Sequence, residues 1–162
     1  MFSKLLLTAA LFAPYPIAPN YTLASCDDPI QRDQILSDPE KIVSTDAIEA
    51  RSHTEATGSE ALMDKLAARA SLSEKPQAEI FGKVSSSPEY QGVMENGRQL
   101  QQRMDEESSA LKSSKDDLAA CRSFIRTAET LVEIGANADR GYAIMRKIIE
   151  DEAKSRGVSL TD

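Results

Sequence analysis

A stripe of apolar residues in the second half of this 162-residue chain constrains its fold more than any other feature. Its members recur at an unbroken interval of seven residues: Met104, Leu111, Leu118, Ile125 and Val132. Such an interval places the side chains on one face of an α-helix, with a slow drift that a partner helix can follow. Ser87 is suited to capping a helix with Pro88 in its first turn, and no proline follows. The sequence therefore predicts one long helix over about residues 88–134.

A second helix is predicted over about residues 139–156, close behind the first. Gly135 is suited to the left-handed conformation that ends a helix, and Asp139 is suited to capping the next one. Apolar residues then recur at helical spacing: Tyr142, Met145, Ile148, Ile149 and Ala153. Because two helices joined by so short a connection lie antiparallel, the pattern predicts a helical hairpin over residues 88–157. Strand-like alternation is rare, so we expect an all-α fold with four to six helices.

The two halves of the predicted long helix differ in character. Residues 105–117 are strongly charged, so we expect this middle part to face water and to be the first candidate for a partner surface. Residues 118–134 carry a broad apolar face that is typical of a core helix. The positions that would form a second seam are polar or small: Glu107, Ser114, Cys121, Ala128 and Gly135. Since a two-stranded coiled coil needs both seams apolar, packing within a monomer is favoured, and a homodimeric coiled coil is the alternative.

The amino terminus has the pattern of a secretory signal. Lys4 precedes an apolar run, Leu5–Ala13, that is too short for a permanent membrane anchor. Thr22 and Ala24 are the small residues that signal peptidase requires before a cut at Ser25. We therefore expect residues 1–25 to be a signal peptide and residues 26–162 to form one helical domain. The expected location is the periplasm or cell envelope of a bacterium, with secretion as the alternative.

The two cysteines allow two chemistries. In an oxidising compartment Cys26 would pair with Cys121, which would tie the mature amino terminus to the long helix. Alternatively, Leu23-Ala24-Ser25-Cys26 resembles a bacterial lipobox, the motif at which a cysteine is lipidated and becomes the new amino terminus. The sequence leaves both open, and the second implies a lipid-anchored envelope spacer.

The segment from residue 26 to residue 87 is predicted to be less regular than the hairpin. Asp28 can cap a short helix that has Pro29 at its first position. Arg51–Gly58 is polar and lacks periodicity, so a loop is predicted there. Thr57 and Glu60 have the spacing of a capping box, which would begin the next helix.

The residues offer little support for catalysis. His53 is the only histidine and has no neighbours at metal-ligand spacing, so we predict neither a metal site nor a Ser–His–acid triad. The seven glycines form no phosphate-binding motif, and no cofactor is expected. The net charge of −7 disfavours nucleic-acid binding, which depends on neutralising phosphates, and favours a basic partner.

These patterns together suggest an exported, non-catalytic helical protein that binds another protein. The roles we expect are an accessory subunit of an envelope or secretion assembly, or an immunity or inhibitor protein. Contact with a membrane is expected only through the signal peptide or a lipidated Cys26. The alternative class is an enzyme with an unrecognised carboxylate site, which the 26 acidic residues leave open.

Overall fold

The structure is a computed structural model, and it describes residues 21–38, 45–69 and 74–160. These residues form a short 3-10 helix, Leu23–Asp27, and five α-helices, with no strand among them. The helices are α1 (Pro29–Ser37), α2 (Thr45–Arg69), α3 (Glu74–Ser86), α4 (Pro88–Lys112) and α5 (Asp117–Ser155). The predicted all-α class is confirmed. The proposed signal segment up to Asn20 lies outside the described residues.

The hairpin is also present, because α5 packs extensively against α4. Its turn, however, lies at residues 113–116, and the chain is helical from Asp117 to Ser155 without a break at Gly135. The boundaries predicted at 134 and 139 are therefore corrected. Gly135 is buried within α5, where packing against neighbours outweighs the weak helix propensity of glycine.

Polar side chains make the turn where it occurs. The hydroxyls of Ser113 and Ser114 donate to the carbonyls of Ser109 and Ala110, both at 2.9 Å. These bonds give partners to carbonyls near the end of α4. Asp116 then caps α5, since its side chain accepts from the backbone N–H of Ala119 at 2.8 Å. The stripe with an interval of seven is consequently divided, with two members on α4 and three on α5, and it forms no single continuous seam.

Other predicted helix ends are confirmed. Ser87 caps α4 by accepting from the backbone N–H of Tyr90 at 3.3 Å, with Pro88 in the first turn. Asp28 caps α1 in the same way, ahead of Pro29. Gly157 follows the end of α5 with a φ of +67°, a conformation that glycine adopts without strain.

The predicted loop at Arg51–Gly58 was wrong, because this stretch belongs to α2. Within it, the Thr57 hydroxyl donates to the carbonyl of His53 at 2.8 Å and the Ser59 hydroxyl to that of Glu55 at 3.0 Å. These side chains bond back to the preceding turn, which lets hydroxyl residues remain in a helix. Contacts of α2 with α5 supply the rest of the stabilisation.

The interior of the described residues has two clusters. The first joins the 3-10 helix and α1 to the first half of α5, and its buried members are Cys26, Ile35, Cys121, Ile125 and Ala128. The second joins α2 and α3 to the last part of α5, and its buried members are Met63, Leu66, Ile80, Ile149 and Ala153. The long helix α5 therefore contributes buried residues to both clusters.

Candidate functional site

Small residues bring α4 and α5 close together near the middle of α5. A Cβ atom on Gly97 would lie 3.2 Å from Nδ2 of Asn137, and one on Gly141 would lie 3.3 Å from Cγ1 of Val93. The buried Asn137 amide donates to the carbonyl of Val93 at 2.9 Å and accepts from Nδ2 of Asn96 at 2.8 Å. These bonds fix the register of the two helices, because a shift would leave buried polar groups without partners.

A groove of about 380 Å³ follows this close contact, and we name it the hairpin groove. Its lining is mostly apolar and includes Tyr90, Val93, Met94, Ile134, Tyr142 and Met145. Met94 stands at its edge with 52% of its surface exposed. Arg98, the one charged residue among the described residues that line it, pairs with Glu95 at 2.9 Å.

A second groove, of about 360 Å³, lies where α2 and α3 meet α5, and we name it the Phe81 groove. Its apolar lining comes from Ala56, Met63, Phe81, Tyr142, Met145 and Ile149. Met63 and Ile149 are buried, whereas Phe81 has 51% of its surface exposed. Tyr142 and Met145 line both grooves, so the two grooves are neighbours separated by this pair.

Ion pairs attach α2 and α3 to α5 around the Phe81 groove. Arg146 on α5 pairs with Glu55 on α2, and both side chains are largely buried. Lys83 on α3 donates to Glu152 on α5 at 2.5 Å, and Arg156 pairs with the same carboxylate at 2.7 Å. The hydrogen bond from Lys83, followed by that from Arg156, lowers the pKa of Glu152 from its ordinary value against the opposing effect of burial. These contacts fix the position of the three helices that form the groove.

The charged stretch that the sequence suggested as a partner surface forms the last part of α4 and the turn after it, and it bonds partly within the hairpin. Arg103 donates to the buried Thr130 hydroxyl at 3.0 Å and pairs with Glu133 at 2.5 Å. The Thr130 hydroxyl in turn donates to Glu107 at 2.6 Å. This network joins α4 to α5, whereas Asp105 and Glu106 remain exposed.

Cys26 and Cys121, the candidate disulfide pair, are joined by a disulfide, with their Cα atoms 5.8 Å apart. Both are buried in the first core cluster, far along α5 from the Phe81 groove. His53 is exposed on α2 and does not line either groove. Across the part of the chain that the structure describes, no group of three His, Cys, Asp or Glu side chains could hold a metal ion.

The grooves were not identified from the sequence. The hairpin groove lies between α4 and α5, and the Phe81 groove lies where α2 and α3 meet α5. The apolar residues of both grooves resemble ordinary core positions when each helix is considered alone. Phe81 and Met94 occur at helical spacing with other apolar residues, so their pattern does not distinguish them from core positions.

Comparison of the chain with known protein families, with curated proteins and with solved structures found no match. Among the described residues, every helix is too short or too polar to cross a membrane. The grooves and the chemistry of their lining are therefore the features that bear on function.

Proposed function

We propose that this chain is an exported, non-catalytic helical protein that acts by binding another protein through the two neighbouring grooves. The observation that carries the proposal is the pair of apolar grooves that share Tyr142 and Met145, with Phe81 and Met94 half-exposed at their edges. Large apolar side chains beside a concave apolar surface are typical of interaction sites. Aromatic residues in such a position also supply a large share of binding free energy.

The polar groups of the grooves support binding rather than catalysis. The Ser59 hydroxyl donates to a carbonyl of its own helix, and the Asn137 amide bonds to α4, so both are already engaged. Glu60 and Asp64 are exposed at the edge of the Phe81 groove instead of being buried in it. An enzyme with an unrecognised carboxylate site is the alternative class of function, and it would need carboxylates that converge inside a groove.

Export is part of the proposal. The signal-like amino terminus directs the chain to an oxidising compartment, where a Cys26–Cys121 disulfide can form. In the periplasm or cell envelope the protein would serve as an accessory subunit of an envelope or secretion assembly, or as an immunity or inhibitor protein. Lipidation is the competing chemistry, because the Cys26 sulfur cannot carry a lipid and a disulfide together.

Intact mass of the protein from producing cells distinguishes these two chemistries. The proposal predicts a chain that begins near Ser25 or Cys26 and gains two hydrogens on reduction. A chain that begins at Cys26 with added acyl groups would instead establish the lipid-anchored spacer. It would also exclude a disulfide between Cys26 and Cys121.

Co-purification tests binding through the grooves. Tagged wild type is compared with the Phe81→Ser and Met94→Ser variants, after cross-linking in the organism of origin. The matched control is Ile30→Ser, because Ile30 is 71% exposed on α1 and lines neither groove. We expect a defined partner that both groove variants lose and the control retains. A partner list that is identical for all four proteins would overturn the proposal.

A further inference from the structure

Two exposed carboxylates stand at the edge of the Phe81 groove. Glu60 and Asp64 lie one helical turn apart on α2, are exposed, and line the groove. Among the described residues that line the groove there is no lysine or arginine. The nearby cations Arg146 and Lys83 are already paired with Glu55 and Glu152. Within the described residues, Glu60 and Asp64 form no ion pair, so a partner would meet both charges.

We propose that the Phe81 groove binds a basic amphipathic helix of the partner protein, an inference that rests on the proposed function. The helix would place apolar side chains against Phe81, Met145 and the buried floor of the groove. Lysine or arginine side chains one turn apart on its flank would face Glu60 and Asp64.

The form of the groove favours a helix over an extended peptide. An extended peptide gains affinity by adding to the edge of a sheet, and the described residues contain no strand. An apolar channel between helices accepts the apolar face of another helix instead, through side chains at intervals of three and four residues. The spacing of Glu60 and Asp64 along α2 matches that same interval.

The charge of the molecule favours a basic occupant. The net charge of −7 attracts a basic segment over a distance of several ångströms, and salt weakens this attraction. An acidic segment would meet like charges at the edge of the groove, which disfavours it. Affinity then comes from the apolar contacts, while Glu60 and Asp64 select the sign of the partner's charge.

Designed peptides test this inference on the purified full chain by titration calorimetry. The probes are amphipathic helices of about five turns with one apolar pattern, built from leucine and lysine, or from leucine and glutamate. A third probe is the leucine–lysine peptide with a central proline, which disrupts the helix. The variants are Phe81→Ser, Glu60→Gln with Asp64→Asn, and the control pair Glu106→Gln with Glu129→Gln, two exposed acids outside the groove.

We expect the leucine–lysine helix to bind wild type at least about tenfold more tightly than the leucine–glutamate helix. Phe81→Ser should weaken that binding by about tenfold or more. Neutralising Glu60 and Asp64 should weaken it by about three- to tenfold, whereas the control pair should change it by less than about twofold. The proline peptide should fail to bind.

Any one of three results would overturn the inference. The two charged helices bind with equal affinity, or the control pair weakens binding as much as neutralising Glu60 and Asp64 does, or the proline peptide binds as tightly as the leucine–lysine helix. A chain that sediments as a dimer and becomes monomeric with Phe81→Ser would also overturn it, because the occupant would then be a second copy. A partner lost on Phe81→Ser in cells, without preference among the peptides, would leave the proposed function standing and reject only the basic helix.

Discussion

Removal of the Cys26–Cys121 disulfide should lower the stability of the folded chain by several kcal/mol. The bond joins residues 95 positions apart, and closing a loop of that length in the unfolded chain corresponds to about 4–5 kcal/mol of chain entropy. Both cysteines are buried beside Ile35 and Ile125, so alanine substitution also removes some packing. We expect the Cys26→Ala, Cys121→Ala double variant to lose about 3–5 kcal/mol of unfolding free energy.

Urea unfolding followed by circular dichroism measures this loss for oxidised wild type, reduced wild type and the double variant. For a chain of this size, each kcal/mol changes the melting temperature by about 3–5 °C, so a decrease of about 10–20 °C should accompany it. Reductant should destabilise wild type and leave the double variant unchanged, which controls for unrelated effects of the reagent. If reduction and substitution each cost less than about 1 kcal/mol, the bond does not restrain the unfolded chain as argued.

Four further substitutions, the last two compared as a pair, test other parts of the fold. Ile149→Ala should lower the free energy of unfolding by about 2–5 kcal/mol in urea, because Ile149 is buried in the second core cluster. Glu152→Gln should lower the melting temperature most near neutral pH, because only the ionised carboxylate of Glu152 is stabilised by its cations. In a pH series of melts, the difference in melting temperature between wild type and variant should disappear as the pH falls through the lowered pKa of Glu152. Gly141→Leu should lower the melting temperature because Val93 occupies the space, whereas Gly92→Ala, with nothing within 4 Å, should raise it slightly.

Each of these has a result that contradicts it. A loss below about 1 kcal/mol for Ile149→Ala would mean that the second cluster is not packed as described. A Glu152→Gln effect that stays constant down to acidic pH would show that the ion pairs with Lys83 and Arg156 contribute nothing. Equal melting temperatures for the Gly141 and Gly92 variants would contradict the close approach of α4 and α5.

The parts of the fold that follow from neighbouring residues could be predicted from the sequence. Ser87 with Pro88, and Asp28 with Pro29, begin helices because the capping group and the proline lie within a few residues of each other. The hairpin also followed from local signals. Its turn was predicted in the wrong place, because Gly135 has the local character of a helix end but is buried within α5. The turn that forms instead uses the local bonds of Ser113, Ser114 and Asp116.

The candidate site depends on contacts between distant parts of the chain, so local patterns could not reveal it. Arg146 pairs with Glu55 across 91 positions, and Lys83 with Glu152 across 69. These pairs place Phe81 beside Tyr142, a neighbourhood that no interval in the sequence indicates. Conversely, the charged run of α4 looked like a free surface, but Glu107 bonds to a hydroxyl on α5.

Site-specific photocross-linking in producing cells detects a partner protein bound at the grooves. A photoreactive amino acid is placed at position 81, at position 94, and at position 30 as the exposed control on α1. We expect a cross-linked species of one defined higher mass from positions 81 and 94 and none from position 30. Cross-links of equal yield at all three positions, or none at positions 81 and 94, would contradict it.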